Sequence, residues 1–221
     1  MDSEKCTIIM SILKNGSMSA AAEELNYTQS GISRAVEALE RSAGFHESHP
    51  GITVELCSGT STELSERMSA KSLDFGIVSR RDGTFESTVV KKDSLVAMLP
   101  PNHPLAQAKS VPATIFEREP YIEIHTGLQT DNTLCFRSRG IVPKLSFSTP
   151  DCIIACGMVK AGLGVALVNS VIADELRGGV AYVPLDPPEN VDICVITPAR
   201  EVISPAAKSF AAYAMGFISE L

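Results

Sequence analysis

Apolar residues recur at helical spacing through the first 45 positions. Ile8, Ile9, Ile12 and Leu13 share one face of a helix that stops at Asn15-Gly16, a natural helix end. Ser19 suits the N-cap of a short second helix carrying Ala20, Ala21, Ala22 and Leu25. Its alanines favour helix and let a neighbouring helix approach closely. After the turn at Asn26-Tyr27, Thr28 suits the N-cap of a third helix from Gln29 to about Ser42, with Ile32, Ala35, Val36 and Leu39 on one face. Gln29, Ser30, Ser33, Arg34 and Glu37 fall largely on the other face, and Gly44 ends the helix.

From residue 46 the period changes. Ile52, Val54 and Leu56 alternate with Thr53, Glu55 and Cys57, which predicts a strand. Thr60-Ser61-Thr62-Glu63 is a capping box and predicts a helix that turns Leu64 and Met68 inward. Leu73 to Val78 follows as a second apolar strand. Strand, helix and strand make a βαβ unit with a right-handed crossover. Further on, Tyr121–Ile124 opens a second α/β lobe. Thr149-Pro150 reads as an N-cap with proline at the first helical position, before a helix carrying Ile153, Ile154, Met158 and Ala161 and ending at Gly162. Val165–Val168 is a strand, Val171–Leu176 a short helix, and Val191–Ile196 a strand. A last helix, capped by Ser204 and Pro205, buries Phe210, Tyr213, Ala214 and Phe217. Strands alternating with helices imply an α/β fold with a mostly parallel sheet.

Composition refines this picture without redirecting it. Hydrophobic residues make up 44% of the chain and charged residues 20%, values of a globular protein with a sizeable core. No window approaches the roughly 18 apolar residues of a membrane span. Asp2 and Glu4 replace the basic flank of a signal peptide, so the expectation is a cytoplasmic protein with no membrane partner. The 6 cysteines form no C-x-x-C pair, and the histidines form no cluster with them. They read as reduced, mostly buried thiols, with neither a metal nor a cofactor implied. The net charge of −7 speaks against a general nucleic-acid binder. A small recognition module can nevertheless be joined to an acidic domain, because only its docking face must be basic.

The third helix has the chemistry for such a face. A helix with one apolar side and short polar side chains near its N-terminus can enter the major groove, about 12 Å wide. Gln29 can pair with an adenine edge, and Arg34 with guanine or a phosphate. Thr28, Ser30 and Ser33 can reach bases or backbone, and Ser19 sits at the start of the supporting helix. The helix N-terminus also favours a phosphate.

Residues 1–45 resemble the DNA-binding end of the LysR-type transcriptional regulators. The matched residues are Ala21-Ala22, Leu25, Thr28-Gln29-Ser30, Ser33-Arg34, Val36, Leu39-Glu40 and Gly44-Phe45. The remainder resembles that family's effector domain. His49-Pro50-Gly51-Ile52, Leu73-Asp74-Phe75-Gly76-Ile77-Val78, Pro101-x-His103-Pro104-Leu105 and Val159-x-Ala161-Gly162-Leu163-Gly164-Val165-Ala166 occur in the family's order. The resemblance implies a helix-turn-helix over 1–45 and an effector domain over 46–221. That domain would have two lobes, like a periplasmic binding protein: lobe I from 46–98 and 193–221, lobe II from 99–192. Two strands would cross between them near Leu95–Pro100 and Val191–Ile196.

A small-molecule effector would then bind between the lobes, beyond the carboxyl ends of strands. The candidates are Thr60 and Ser61 at a helix start, Ser79 after a strand, and His125 and Thr126 after another. The helix start at Thr60 suits an anionic effector. Capping alone also accounts for Thr60, and an ordinary loop histidine accounts for His125 as well as ligand contact does.

The chain departs from the family at one place. The family's wing, dimerising linker helix and first effector-domain strand and helix are absent, because Phe45 runs straight into His46-Glu47-Ser48-His49-Pro50. The first lobe is therefore expected to be incomplete. Residues 1–45 hold Lys5, Lys14, Arg34 and Arg41 against Asp2, Glu4, Glu23, Glu24, Glu37 and Glu40, an acidic balance. Binding of double-stranded operator DNA should thus be weak and salt-sensitive, and homo-oligomers weakened. The competing reading is an effector-binding module that forms mixed oligomers with a full-length relative. An enzyme is not expected: Gly162-x-Gly164 closes a helix and opens a strand, the reverse of a dinucleotide-binding turn.

Overall fold

A computed structural model describes residues 44–125, 127–176, 179–199 and 203–218. The predicted helices over 1–42, the DNA-facing set Ser19, Thr28, Gln29, Ser30, Ser33 and Arg34, and Thr126 lie outside the described residues. The chain divides into two compact units, 1–58 and 59–221.

Within the first unit, residues 44–48 are helical, and His49 stacks on Phe45 with ring centroids 4.4 Å apart. A turn follows, in which Ile52 N donates to the His49 carbonyl at 2.9 Å. From Ile52 to Cys57 half-buried and exposed residues alternate, as the sequence predicts, but the segment joins no sheet. Alternation sets which side chains face inward. A strand also needs a neighbour for its N–H and C=O groups, and none is present among the described residues. The predicted βαβ unit is therefore not formed.

The second unit contains β1 (Gly76–Ser79), β2 (Glu86–Leu99), β3 (Val111–Pro112), β4 (Tyr121–Ile124), β5 (Leu145–Thr149), β6 (Ala166–Asn169), β7 (Ala181–Asp186) and β8 (Asn190–Thr197). Its helices are α1 (Ser61–Ser69), α2 (Ile115–Arg118), α3 (Asp131–Arg139), α4 (Cys152–Lys160), α5 (Ser170–Glu175) and α6 (Pro205–Ile218). The long strand β2 organises them. Its first part, 86–94, pairs antiparallel with β8, which also carries β1. Its last part, 95–99, lies antiparallel between β6 and β7, and β7 pairs parallel with β3. Strands β4 and β5 form a parallel pair, tied to the rest by a parallel bridge from Tyr121 to Val165.

Two lobes result, and the chain crosses between them twice at one level. Ser94 pairs with Asn190, and Leu95 N donates to the Glu189 carbonyl at 2.9 Å. The stretches expected to cross, Leu95–Pro100 and Val191–Ile196, fall largely in β2 and β8, but the change of pairing partners lies just before each, at Ser94–Leu95 and Glu189–Asn190. The mostly parallel sheet is not observed, since the pairs made by β2 and β1 are all antiparallel.

Lobe II holds most of the core. Along β2, Leu95, Ala97 and Leu99 face one buried cluster, with Phe116, Tyr121 and Phe136 in edge-on or tilted ring contact. Val96 and Met98 face a second cluster with Ile122, Ala155 and Val168. A strand buried on both faces needs this unbroken apolar run. Lobe I is thinner: Met68, Val78, Cys194 and Ile196 form its buried cluster among the described residues, with Leu64, Leu73 and Phe85 packed against it.

The predicted caps fare differently. Ser204 Oγ accepts from Ala207 N at 3.1 Å and starts α6, as expected. Phe210, Tyr213 and Ala214 of that helix are half-buried. Thr149, however, ends β5, and the N-cap of α4 is Asp151, whose Oδ1 accepts from Ile153 N at 2.6 Å and Ile154 N at 3.3 Å. A carboxylate that reaches two N–H groups outcompetes a threonine held in strand geometry.

Candidate functional site

A cavity of about 420 Å³ lies in the second unit, between the N-terminus of α1, the end of β1, the end of β4 and the start of α5. Its polar side begins at Thr60. Thr60 Oγ1 accepts from Glu63 N at 3.2 Å, and Thr60 N donates back to Glu63 Oε2 at 2.8 Å, closing the capping box. The Thr60 N–H and the Thr60 hydroxyl, which donates to Glu63 Oε2 at 2.9 Å, hold the Glu63 carboxyl below its ordinary value of 4.5. The capping box leaves the N–H groups of Ser61 and Thr62 in the first turn without intrahelical partners. Ser61 Oγ accepts from Ser79 N at 2.9 Å, which locks the helix start to the end of β1.

Beyond Ser79 the wall becomes ionic. Asp131, the first residue of α3, accepts from Ser79 Oγ at 2.5 Å and from Arg81 Nη2 at 2.7 Å, while Asn169 Nδ2 lies 3.5 Å away. The Arg81 and Asp131 side chains are each 12% exposed. Arg81 is fixed further by Nε donating to Thr62 Oγ1 at 3.2 Å and Nη1 to the Arg80 carbonyl at 2.8 Å. Thr62 Oγ1 in turn donates to the Gln129 carbonyl at 2.9 Å. Side chains of lobe I therefore grip the N-terminal end of α3 in lobe II.

The remaining walls are mostly apolar. Ile77, Val90, Ile124, Leu167, Val171 and Ile193 line the space, with Lys91 and Cys152 at its edge. Ile77 is 47% exposed, although it sits in a strand, because its side chain faces this cavity. His125 also lines the cavity and holds φ 62°, a left-handed backbone uncommon outside glycine, though asparagine, aspartate and histidine adopt it more readily than other side chains. Its N–H is held by the Thr149 carbonyl at 3.0 Å. A polar rim around an apolar interior suits a small organic molecule with one polar end.

The structure gathers four sequence-derived candidates, Thr60, Ser61, Ser79 and His125, around this one space. Thr126 lies outside the described residues. Sequence reasoning passed over Arg81, Asp131 and Asn169. Arg81 and Asn169 follow or end strands, so the rule that ligands sit beyond strand carboxyl ends could have found them. Asp131 stands 50 residues from its partner and reads in sequence as an ordinary first-turn helix acid.

Arg81 and Asp131 also line a second, larger and more open groove of about 1160 Å³, together with Glu66, Asp82, Glu189 and Asp192. There Asp192 binds Lys92 at 2.5 Å and Arg80 at 3.3 Å, bonds that hold its carboxyl below the usual range. Among the described residues, no group of three His, Cys, Asp or Glu side chains is arranged to hold a metal. No described helix is long and apolar enough to cross a membrane.

Comparison with known proteins agrees with this architecture. Residues 4–46 match the bacterial regulatory helix-turn-helix of the LysR family, and residues 38–217 match the LysR substrate binding domain. The two matches overlap, so no linker residues stand between them. The uncharacterized HTH-type transcriptional regulator YvbU of Bacillus subtilis is 27% identical over 168 residues, covering 75% of this chain and 58% of that protein. The chain thus spans about three fifths of the length of the curated relatives it matches. Among solved structures, the CcmR regulatory domain of Synechocystis PCC6803 in complex with 2-PG superposes with TM-score 0.69 at 19% identity, covering 85% of this chain and 94% of that one. The effector binding domain of QuiR in complex with shikimate gives 0.64 at 22% identity, covering 83% and 90%. At these identities the likeness is one of fold. A substrate-binding-domain match over most of the chain, two lobes joined by crossing strands and a helix-turn-helix match at the N-terminus make this chain a member of the LysR family of bacterial transcriptional regulators.

Proposed function

We propose that the chain is an effector-responsive DNA-binding regulator whose cavity takes a small carboxylate. The observation that carries this reading is the convergence of the α1 N-terminus, the Ser61 and Ser79 side chains and His125 on one 420 Å³ space with an apolar interior. The two free N–H groups of the first turn of α1 favour an anion there. That CcmR and QuiR are solved with 2-PG and shikimate supports a small polar effector. Thr60 and Thr126 complete the proposed set, Thr60 by fixing the helix start. Titrating the chain with a panel of aromatic and aliphatic carboxylates, followed by amide chemical shifts, tests the proposal. Shifts should cluster at Thr60–Ser61, Ser79 and His125, and Ser61→Ala should weaken binding. Shifts scattered over the surface would contradict it.

The DNA-facing residues are proposed to be Ser19, Thr28, Gln29, Ser30, Ser33 and Arg34, reading operator DNA in the cytoplasm. With residues 1–45 net acidic and no linker between the matched domains, binding is weak and falls steeply with salt. A nanomolar operator complex at physiological salt would contradict this. A second reading, an effector module that acts in mixed oligomers with a full-length relative, is favoured by one observation: among the described residues β1 ends its sheet, so one of its edges is left for another strand.

A further inference from the structure

The cavity's best-positioned cation is already occupied by the protein itself. Arg81 and Asp131 are the two residues shared by the cavity and the larger groove, so their ion pair forms the partition between those spaces. Asp131 is not needed to cap α3. Thr130 does that, with Oγ1 accepting from Thr133 N at 3.3 Å and its N–H donating to Thr133 Oγ1 at 2.9 Å. The Asp131 carboxylate instead points across the cleft, taking a hydrogen bond from Ser79 and another from Arg81. Arg81, for its part, is held by Thr62 and by the Arg80 carbonyl independently of Asp131. The guanidinium would therefore keep its place if Asp131 left, and so would the Ser79 hydroxyl, whose backbone is tied to Ser61. A carboxylate brought by a ligand would meet the same two donors in the same geometry.

We propose that Asp131 is a built-in competitor for the cavity's cation. An anionic effector binds by taking its place on Arg81 and Ser79, and so releases the N-terminal end of α3 in lobe II from lobe I. The exchange conserves charge: one carboxylate leaves Arg81 and another arrives. The displaced Asp131 has somewhere to go, because the groove on its other side is open to solvent and can hydrate it. Release matters because the Asp131–Arg81 pair is an ionic tie between the lobes, and the Thr62 bond to the Gln129 carbonyl lies next to it. Ligand chemistry in the cavity is thereby converted into freedom of one lobe against the other, and the coupling is reciprocal. The proposal rests on reading the cavity as the effector site, and adds to it the residue that sets its preference for charge.

The test compares benzoate with benzamide, which share a ring and differ in charge, on the full chain by amide chemical-shift titration. In Asp131→Asn, benzoate should bind on the order of tenfold tighter than in the unmodified chain, with benzamide unchanged. In Arg81→Gln, the preference for benzoate over benzamide should vanish. Unchanged or weaker benzoate binding in Asp131→Asn would overturn the proposal, as would a preference that survives Arg81→Gln. Failure of both probes to bind Asp131→Asn at tens of millimolar would overturn it too. In that case shifts at Ile172 or Val171 with other compounds would still support the cavity reading, so the two claims fail separately. If Asp131→Asn does not unfold cooperatively, Asp131→Ser, which keeps a residue suited to a helix start, carries the same comparison.

Discussion

Thr60 and Glu63 show the residue scale at its most legible. Their reciprocal bonds can be read from Thr60-Ser61-Thr62-Glu63 alone, because a capping box is local. Thr60→Val should cost about 1 kcal/mol, the usual worth of an N-cap, measured as a lower urea midpoint. The same pair sets a pH dependence. Glu63's folded pKa lies below its ordinary 4.5, so its contribution is present above 4.5 and is lost as pH falls through the lower folded value. The stability difference between the native chain and Thr60→Val should therefore shrink on acidification below about pH 4.5. A difference that stays constant from neutral to strongly acidic pH would contradict this. Arg81 and Asp131 were not legible. Their pairing joins a strand end to a helix start 50 residues away, and no local pattern encodes which strand end faces which helix.

At the scale of elements, period and punctuation placed most of what is observed. Tyr121–Ile124, Asn190–Thr197 and Pro205–Ile218 lie where alternation, helical spacing and the Ser204-Pro205 start indicated. The start of α4 was displaced, because Thr149 and Asp151 are both good caps in sequence and only the strand ending at Thr149 decides between them. Asp151→Ala should thus cost about 1 kcal/mol of stability, and Thr149→Ala distinctly less, by paired denaturation curves. Equal costs would contradict the assignment. The segment 52–57 failed for another reason. Its side chains alternate as in a strand, but a strand is a property of a pair, and the resemblance indicated in advance that its neighbour is missing. The direction of pairing was likewise unreadable, because it depends on where β2 and β8 cross between lobes.

For the whole molecule, the unequal cores of the lobes have a measurable consequence. Among the described residues, lobe II buries both faces of β2 behind an aromatic cluster, whereas lobe I rests on the small group around Met68 and Ile196. Amide exchange in native conditions should therefore be faster in α1 and β1 than in β2 from Val96 to Leu99 and in β6. Uniform protection across the two lobes would contradict that ranking. Phe116→Ala should cost about 3–5 kcal/mol, since it empties the centre of the larger core. The proposed DNA-binding face rests on side-chain chemistry in the sequence, and its residues lie outside the described ones.

The most direct measurement is a titration calorimetry pair on the full chain, with the tightest carboxylate from the panel and the Ser61→Ala and Ser79→Ala variants. The account predicts one site per chain and a loss of several-fold or more in each variant, while both variants still unfold cooperatively, with stability lowered by about 1–3 kcal/mol for the lost hydrogen bond. Full-strength binding in both variants would place the ligand elsewhere and remove the basis for the functional reading.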